Sequence, residues 1–188
     1  MPEIEAPALA ELEQKLPHAD ELHDMDLADL RAAFAGESQA AEKYLVFAEK
    51  AEAEGLPNVA NLFRAISFAE TRHARNHLRV MGGVGETADN LQAAFEGESF
   101  EIDEMYPAYV EVARLQGDKQ ALKSMSWALR AETDHKRMYA EARERVVAGG
   151  DIDRQPVSVC ALCGHTVVGD LPDKCPVCAA RGAYRTFG

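Results

Sequence analysis

A duplication constrains this chain more than any other feature. Ala33-Phe34-Ala35-Gly36-Glu37-Ser38 returns 61 residues later as Ala94-Phe95-Glu96-Gly97-Glu98-Ser99, and Ala69-Glu70-Thr71-Arg72-His73 returns 62 residues later as Ala131-Glu132-Thr133-Asp134-His135. Each half therefore reads as a helical hairpin with one Glu on its first helix and Glu-x-x-His on its second. The punctuation agrees. Asp26 can cap a first helix running to Gly55, and Pro57 opens a second that runs to Met81-Gly82-Gly83. Thr87 or Asp89 can cap a third ending near Gly117, and Asp118 a fourth ending at Gly149. Pro107 falls inside the third and predicts a kink there or one turn earlier. Four helices with short connections make a mostly α chain, a four-helix bundle over 26–148.

The repeated acids interrupt apolar stripes. Leu30, Phe34, Glu37, Ala41, Tyr44 and Ala48 share one face of the first helix, and Phe63, Ile66, Glu70, His73 and His77 one face of the second. On the third the stripe is Leu91, Phe95, Glu98, Ile102, Met105 and Tyr109; on the fourth it is Leu122, Met125, Leu129, Glu132, His135 and Tyr139. Glu101 lies one turn beyond Glu98. A single Glu in an acidic chain is ordinarily solvated. Five on core-facing stripes are another matter, because an unpartnered buried carboxylate costs several kcal/mol while a whole domain is stable by about 5–15. Basic residues within the stripes are too few to neutralise them, and divalent cations would do so. One Glu from each of two helices plus Glu-x-x-His from each of the other two is the pattern that holds paired iron or manganese ions inside a bundle. His77 reads as packed or as a neighbour of the ligands. Tyr44 and Tyr106 read either as core or as phenols donating to a metal-bound carboxylate.

Composition sharpens the boundaries. All four cysteines fall within 160–178, as Cys160-x-x-Cys163 and Cys175-x-x-Cys178 with eleven residues between the pairs. Two such knuckles give a closed tetrahedral site for zinc or a single iron. The chain thus divides into an acidic leader (1–25, with His18 and His23 read as solvated), the bundle (26–148), a linker (149–156) and a four-cysteine domain (157–188). A formal charge of −12 argues against nucleic acid and anionic membrane as partners. No basic-then-apolar leader precedes the bundle, so the expected location is cytoplasmic.

With Phe-Ala-Gly-Glu37-Ser-Gln, Glu70-x-x-His73, Gly-Glu98-x-x-Glu101 before Met105-Tyr106-Pro107, Glu132-x-x-His135 and the paired knuckles in hand, residues 27–188 resemble the rubrerythrins. The resemblance implies a ferritin-like bundle followed by a rubredoxin-like domain. It also implies a non-haem di-iron peroxidase that reduces hydrogen peroxide to water in oxidative-stress defence. By the same resemblance, two irons are held by Glu37, Glu70, His73, Glu98, Glu101, Glu132 and His135. A third, or zinc in its place, is held by Cys160, Cys163, Cys175 and Cys178. His73 and Glu101 become competing ligands of one iron, and Tyr44 and Tyr106 the hydrogen-bonding tyrosines. Electrons come from an NAD(P)H-linked reductase or a rubredoxin. The sequence departs from the rubredoxin pattern at His165, where an aromatic residue usually follows the first knuckle, and Glu101 has Ala40 as its counterpart in the first half. A ferroxidase or iron-handling protein with a zinc-ribbon tail is the alternative reading.

Loop length adds one expectation. If the second and third helices run parallel, their connection must return about 30 Å along the bundle, and residues 82–89 span that only when fully stretched. A domain-swapped homodimer follows, in which 27–81 of one subunit pairs with 90–148 of another.

Overall fold

The computed structural model describes residues 22–188; His18 and most of the leader lie outside the described residues. Two compact units follow one another along the chain, one up to Gly85 and the other Glu86–Gly188. Among the described residues no helix is long and apolar enough to cross a membrane.

The first unit is a hairpin of α1 (Asp24–Ala53) and α2 (Pro57–Val80). Helix α1 begins two residues before the expected cap, with the exposed His23 preceding it and Asp24 and Asp26 both in its first turn, where carboxylates favour the positive helix end. Its end is as expected: Gly55 takes φ +76°, a left-handed turn that suits glycine, and Pro57 opens α2 at a position needing no N–H. Small side chains make the seam. Ala48 and Ala51 of α1 cluster with Ala60 of α2, Phe63 packed alongside, and Ala41 of α1 and Ser67 and Ala74 of α2 are buried as well. The Ser67 hydroxyl donates to the Ala41 carbonyl across that seam at 2.9 Å. Ile66, expected to face the core, is 39% exposed, because two helices share one seam and the smallest residues allow the closest approach.

The second unit contains α3 (Thr87–Phe100), a π-helical turn over Glu101–Met105, α4 (Tyr106–Gln116) and α5 (Lys119–Val147). Thr87 is the first helical residue, with Glu86 as cap. Gly117 is left-handed, and the Asp118 carboxylate accepts from the Gln120 and Ala121 N–H groups, as its place in the sequence requires. Pro107, lacking an N–H, disturbs the helix one turn earlier as expected, but the disturbance is a widened turn. The inserted residue turns everything beyond it by about 100°. That accounts for a correction to the third stripe: Tyr109 is 50% exposed, and Val110 and Ala113 take the buried positions instead.

After residues 149–156, a three-stranded antiparallel sheet of order β2-β1-β3 is formed by β1 (Val157–Cys160), β2 (Thr166–Val168) and β3 (Tyr184–Phe187). Val159 pairs with Thr166 and Cys160 with Tyr184. Each knuckle turns through a left-handed residue directly after its second cysteine, Gly164 at φ +79° and Ala179 at φ +62°. The alanine accepts a conformation that costs roughly 1 kcal/mol.

Candidate metal centres

The duplication is reproduced atom by atom within the two units. In the first, the His73 Nδ1 lies 3.0 Å from Glu70 Oε2 and 3.9 Å from Glu37 Oε1. In the second, His135 Nδ1 lies 2.5 Å from Glu132 Oε2 and 4.0 Å from Glu98 Oε1. Even the hydroxyls repeat: Ser38 and Ser99 donate to the Phe34 and Phe95 carbonyls, and Thr71 and Thr133 to those of Ser67 and Leu129. Each trio offers one atom per residue within 4.8 Å of the others, two carboxylates and one imidazole. The i,i+3 spacing of Glu and His on a helix delivers this geometry without any help from loops.

The trios differ in shelter. Glu98, Glu132 and His135 have side chains 17%, 16% and 25% exposed, whereas His73 is 55% exposed, so neither trio is the dry interior that the stripes suggested. Burial, repulsion and hydrogen bonding by Glu132, and the nearby Glu101 together push the Glu98 carboxyl up to about 7, although His135 acts in the opposite sense. Such crowding of negative charge is what a cation relieves. Glu101 opens the π-helical turn and stands outside the second trio, yet burial and Glu132 raise its carboxyl while His135 lowers it, so it lies within electrostatic reach. Tyr106 follows that turn; burial first, then Glu101, Glu132 and Glu98, raise its phenol and keep it protonated. Tyr44 packs among rings, its centroid 6.2 Å from Phe47 and 6.1 Å from Phe63. His77 sits half-buried in the last turn of α2.

The four cysteines converge. Cys160 Sγ is 3.7 Å from Cys178 Sγ and Cys163 Sγ 3.5 Å from Cys175 Sγ, close to the ~3.8 Å edge of a tetrahedron with metal–sulfur bonds near 2.3 Å. Burial pushes the Cys163 and Cys178 thiols up. Cys175 is also pushed up by burial, but N–H donors from Cys178 and Val177 and the Tyr184 hydroxyl outweigh this and bring it down to about 6. The donor set therefore fits a thiophilic cation. His165 joins no ligand group: its buried imidazole places Nδ1 2.8 Å from the Tyr184 hydroxyl and Nε2 3.6 Å from Asp134 Oδ2. Sequence reasoning missed Tyr184, Thr166 and Asp134, which take part through pairings 19 to 31 residues apart that no local pattern encodes.

A carboxylate–imidazole site on a duplicated helical hairpin, joined to a four-thiol lobe, defines a metalloprotein of the ferritin-like kind. The rubrerythrin family model matches residues 29–143. Rubrerythrin-2 of Clostridium acetobutylicum is 38% identical over 166 residues, covering 81% of this chain and 90% of its own length. Nigerythrin of Nitratidesulfovibrio vulgaris is 30% identical over 81% of each chain. A solved structure of nigerythrin in its fully reduced, all-ferrous state superimposes with a TM-score of 0.52 at 25% identity, covering 92% of this chain and 98% of that one. The chain belongs to the rubrerythrin family, whose members are di-iron oxidoreductases associated with oxidative stress.

Proposed function

We propose that this protein is a peroxidase that reduces hydrogen peroxide to water. Two electrons and two protons convert one peroxide to two waters. The iron pair, when bound, supplies the electrons, and the four-cysteine site, occupied by iron, replenishes them from an NAD(P)H-linked reductase or a rubredoxin. The residues have separate tasks. Glu37, Glu70 and His73, and Glu98, Glu132 and His135, would hold the iron pair, with Glu101 and His73 as alternative ligands of one iron. Tyr106, within electrostatic reach of Glu101, Glu132 and Glu98 and keeping its proton, donates a hydrogen bond to carboxylate or substrate oxygen. Tyr44 serves the same purpose from the first half, its ring fixed by Phe47 and Phe63.

The observation that carries this reading is the occurrence, in one chain, of two equivalent trios and a four-thiol cluster. A hydrogen bond between His135 and Thr166 of the four-cysteine lobe favours electron delivery over an idle zinc-stapled tail. With 87–89 already helical, only 82–86 are left to connect the hairpins, too few for a return along the bundle, so the active form is a domain-swapped homodimer in which 27–81 of one subunit is completed by 90–148 of a second, acting in the cytoplasm. The test is a stopped-flow experiment on the iron-loaded, anaerobically reduced protein. Peroxide should be consumed stoichiometrically, with the visible colour of the ferric thiolate site returning in step. Consumption no faster than in metal-free protein would overturn the proposal.

A further inference from the structure

The two trios are alike at Nδ1 of their histidines and unlike at Nε2. Among the described residues His73 Nε2 has no hydrogen-bond partner, and that ring is more than half exposed. His135 Nε2 lies 2.7 Å from the hydroxyl oxygen of Thr166, a residue of β2 in the four-cysteine lobe. The proton roles follow from counting. Thr166 has one hydroxyl proton, and it is donated to the Gly164 carbonyl at 3.1 Å. The hydroxyl oxygen is left to accept, so Nε2 of His135 donates to it, and Nδ1, the atom facing Glu132 and Glu98, is the one left to meet a cation.

Thr166 is itself well fixed. It is buried, it pairs with Val159 in the sheet, and its neighbour His165 is anchored to Tyr184 on one side and reaches Asp134 on the other. Consecutive residues of α5, Asp134 and His135, thus meet consecutive residues of the lobe, His165 and Thr166. A side chain so over-determined positions its partner more than it is positioned. We infer that Thr166 is a positioning residue for the bundle metal centre: it clamps the His135 ring in the tautomer and orientation that present Nδ1 to a cation, making His135 the fixed imidazole ligand where His73 is the one free to swing. This rests on the metal-centre reading above.

Outer hydrogen-bond partners of metal-bound histidines are worth roughly 10–100-fold in metal affinity. Full-length protein and its Thr166→Val and Thr166→Ser variants would be titrated with Co(II) against a chelator. The thiolate charge-transfer bands report the four-cysteine site separately from the weaker bands of carboxylate–imidazole cobalt. Val keeps the shape and suits a strand, so the thiolate bands should be unchanged while bundle affinity falls about 10-fold; Ser should restore it. Nitrogen-15 histidine spectra of the Zn(II) form should show a slowly exchanging Nε2–H on His135 in the parent and the Ser variant, lost in the Val variant. Thr166→Ala gives the same comparison should valine displace β2. Parent-like bundle affinity in Thr166→Val, or an unprotected Nε2–H in the parent, overturns the clamp alone. A parent that binds no cobalt outside the four thiolates overturns the clamp and the metal-centre reading together.

Discussion

Replacing Glu98 with Gln probes the charge crowding at the second trio directly. The Glu98 carboxyl rises from an ordinary 4.5 to about 7, with burial as the first cause and Glu132 as the second. A carboxyl held above its unfolded value favours the folded state in its neutral form. Its contribution to the metal-free protein is therefore present below about pH 4.5 and is lost as pH rises through about 7. A rise from 4.5 to about 7 corresponds to a ceiling of about 3.4 kcal/mol, at 1.36 kcal/mol for each tenfold change in proton affinity, and partial solvent access lowers that ceiling. Urea unfolding of metal-free protein between pH 4.5 and 8 should show the parent losing on the order of 1–3 kcal/mol relative to Glu98→Gln, which cannot ionise. Metal reverses the sign, since a cation stabilises the ionised carboxylate, and the loaded parent should gain stability over the same interval. Superimposable pH profiles for metal-free parent and variant would refute the argument that burial and repulsion by Glu132 raise the Glu98 carboxyl.

Two further predictions concern the assembled enzyme. Glu101→Ala should depress peroxide turnover more than iron content, because Glu101 stands apart from the trio of Glu98, Glu132 and His135; equal turnover in variant and parent removes the role given to it. Co-expressing a Glu37→Ala/Glu70→Ala chain with a Glu98→Ala/Glu132→Ala chain should restore a minority of intact centres, because a swapped heterodimer pairs the unmutated halves at one of its two sites. Iron analysis and turnover of the mixed dimer should both recover, and a mixture as inactive as either variant alone would speak against swapping.

Most of the helical framework was legible because its ends are chemically marked. Gly55, Gly117 and Gly149 stand where a left-handed residue ends a helix, Pro57 where a missing N–H costs nothing, and Asp118 where a carboxylate caps. The trios were legible because i,i+3 spacing and a repeat are local facts. The start of α1 was not, since His23 makes no side-chain cap and several acids compete for the first turn. Neither was the form of the disturbance before Pro107: proline removes a donor, but whether the helix kinks or widens depends on where the freed carbonyls find partners. In the sequence His165 stands out only as an unusual residue after a knuckle. Its pairing with Tyr184, and that of Thr166 with His135, depends on how strands and helix dock, which periodicity cannot express.

The widened turn at Glu101–Met105 divides one long helix into two separately phased stretches. A helical wheel drawn through the whole of it sets Tyr109 inward and Val110 outward, the reverse of what is found. The single additional residue works like an offset between two cams on one shaft: the upstream stretch is timed to present Glu98, the downstream one to bury Val110 and Ala113. Relatives compared across this point therefore need matching on either side of it independently, since one gap shifts the apparent inner face of every position that follows.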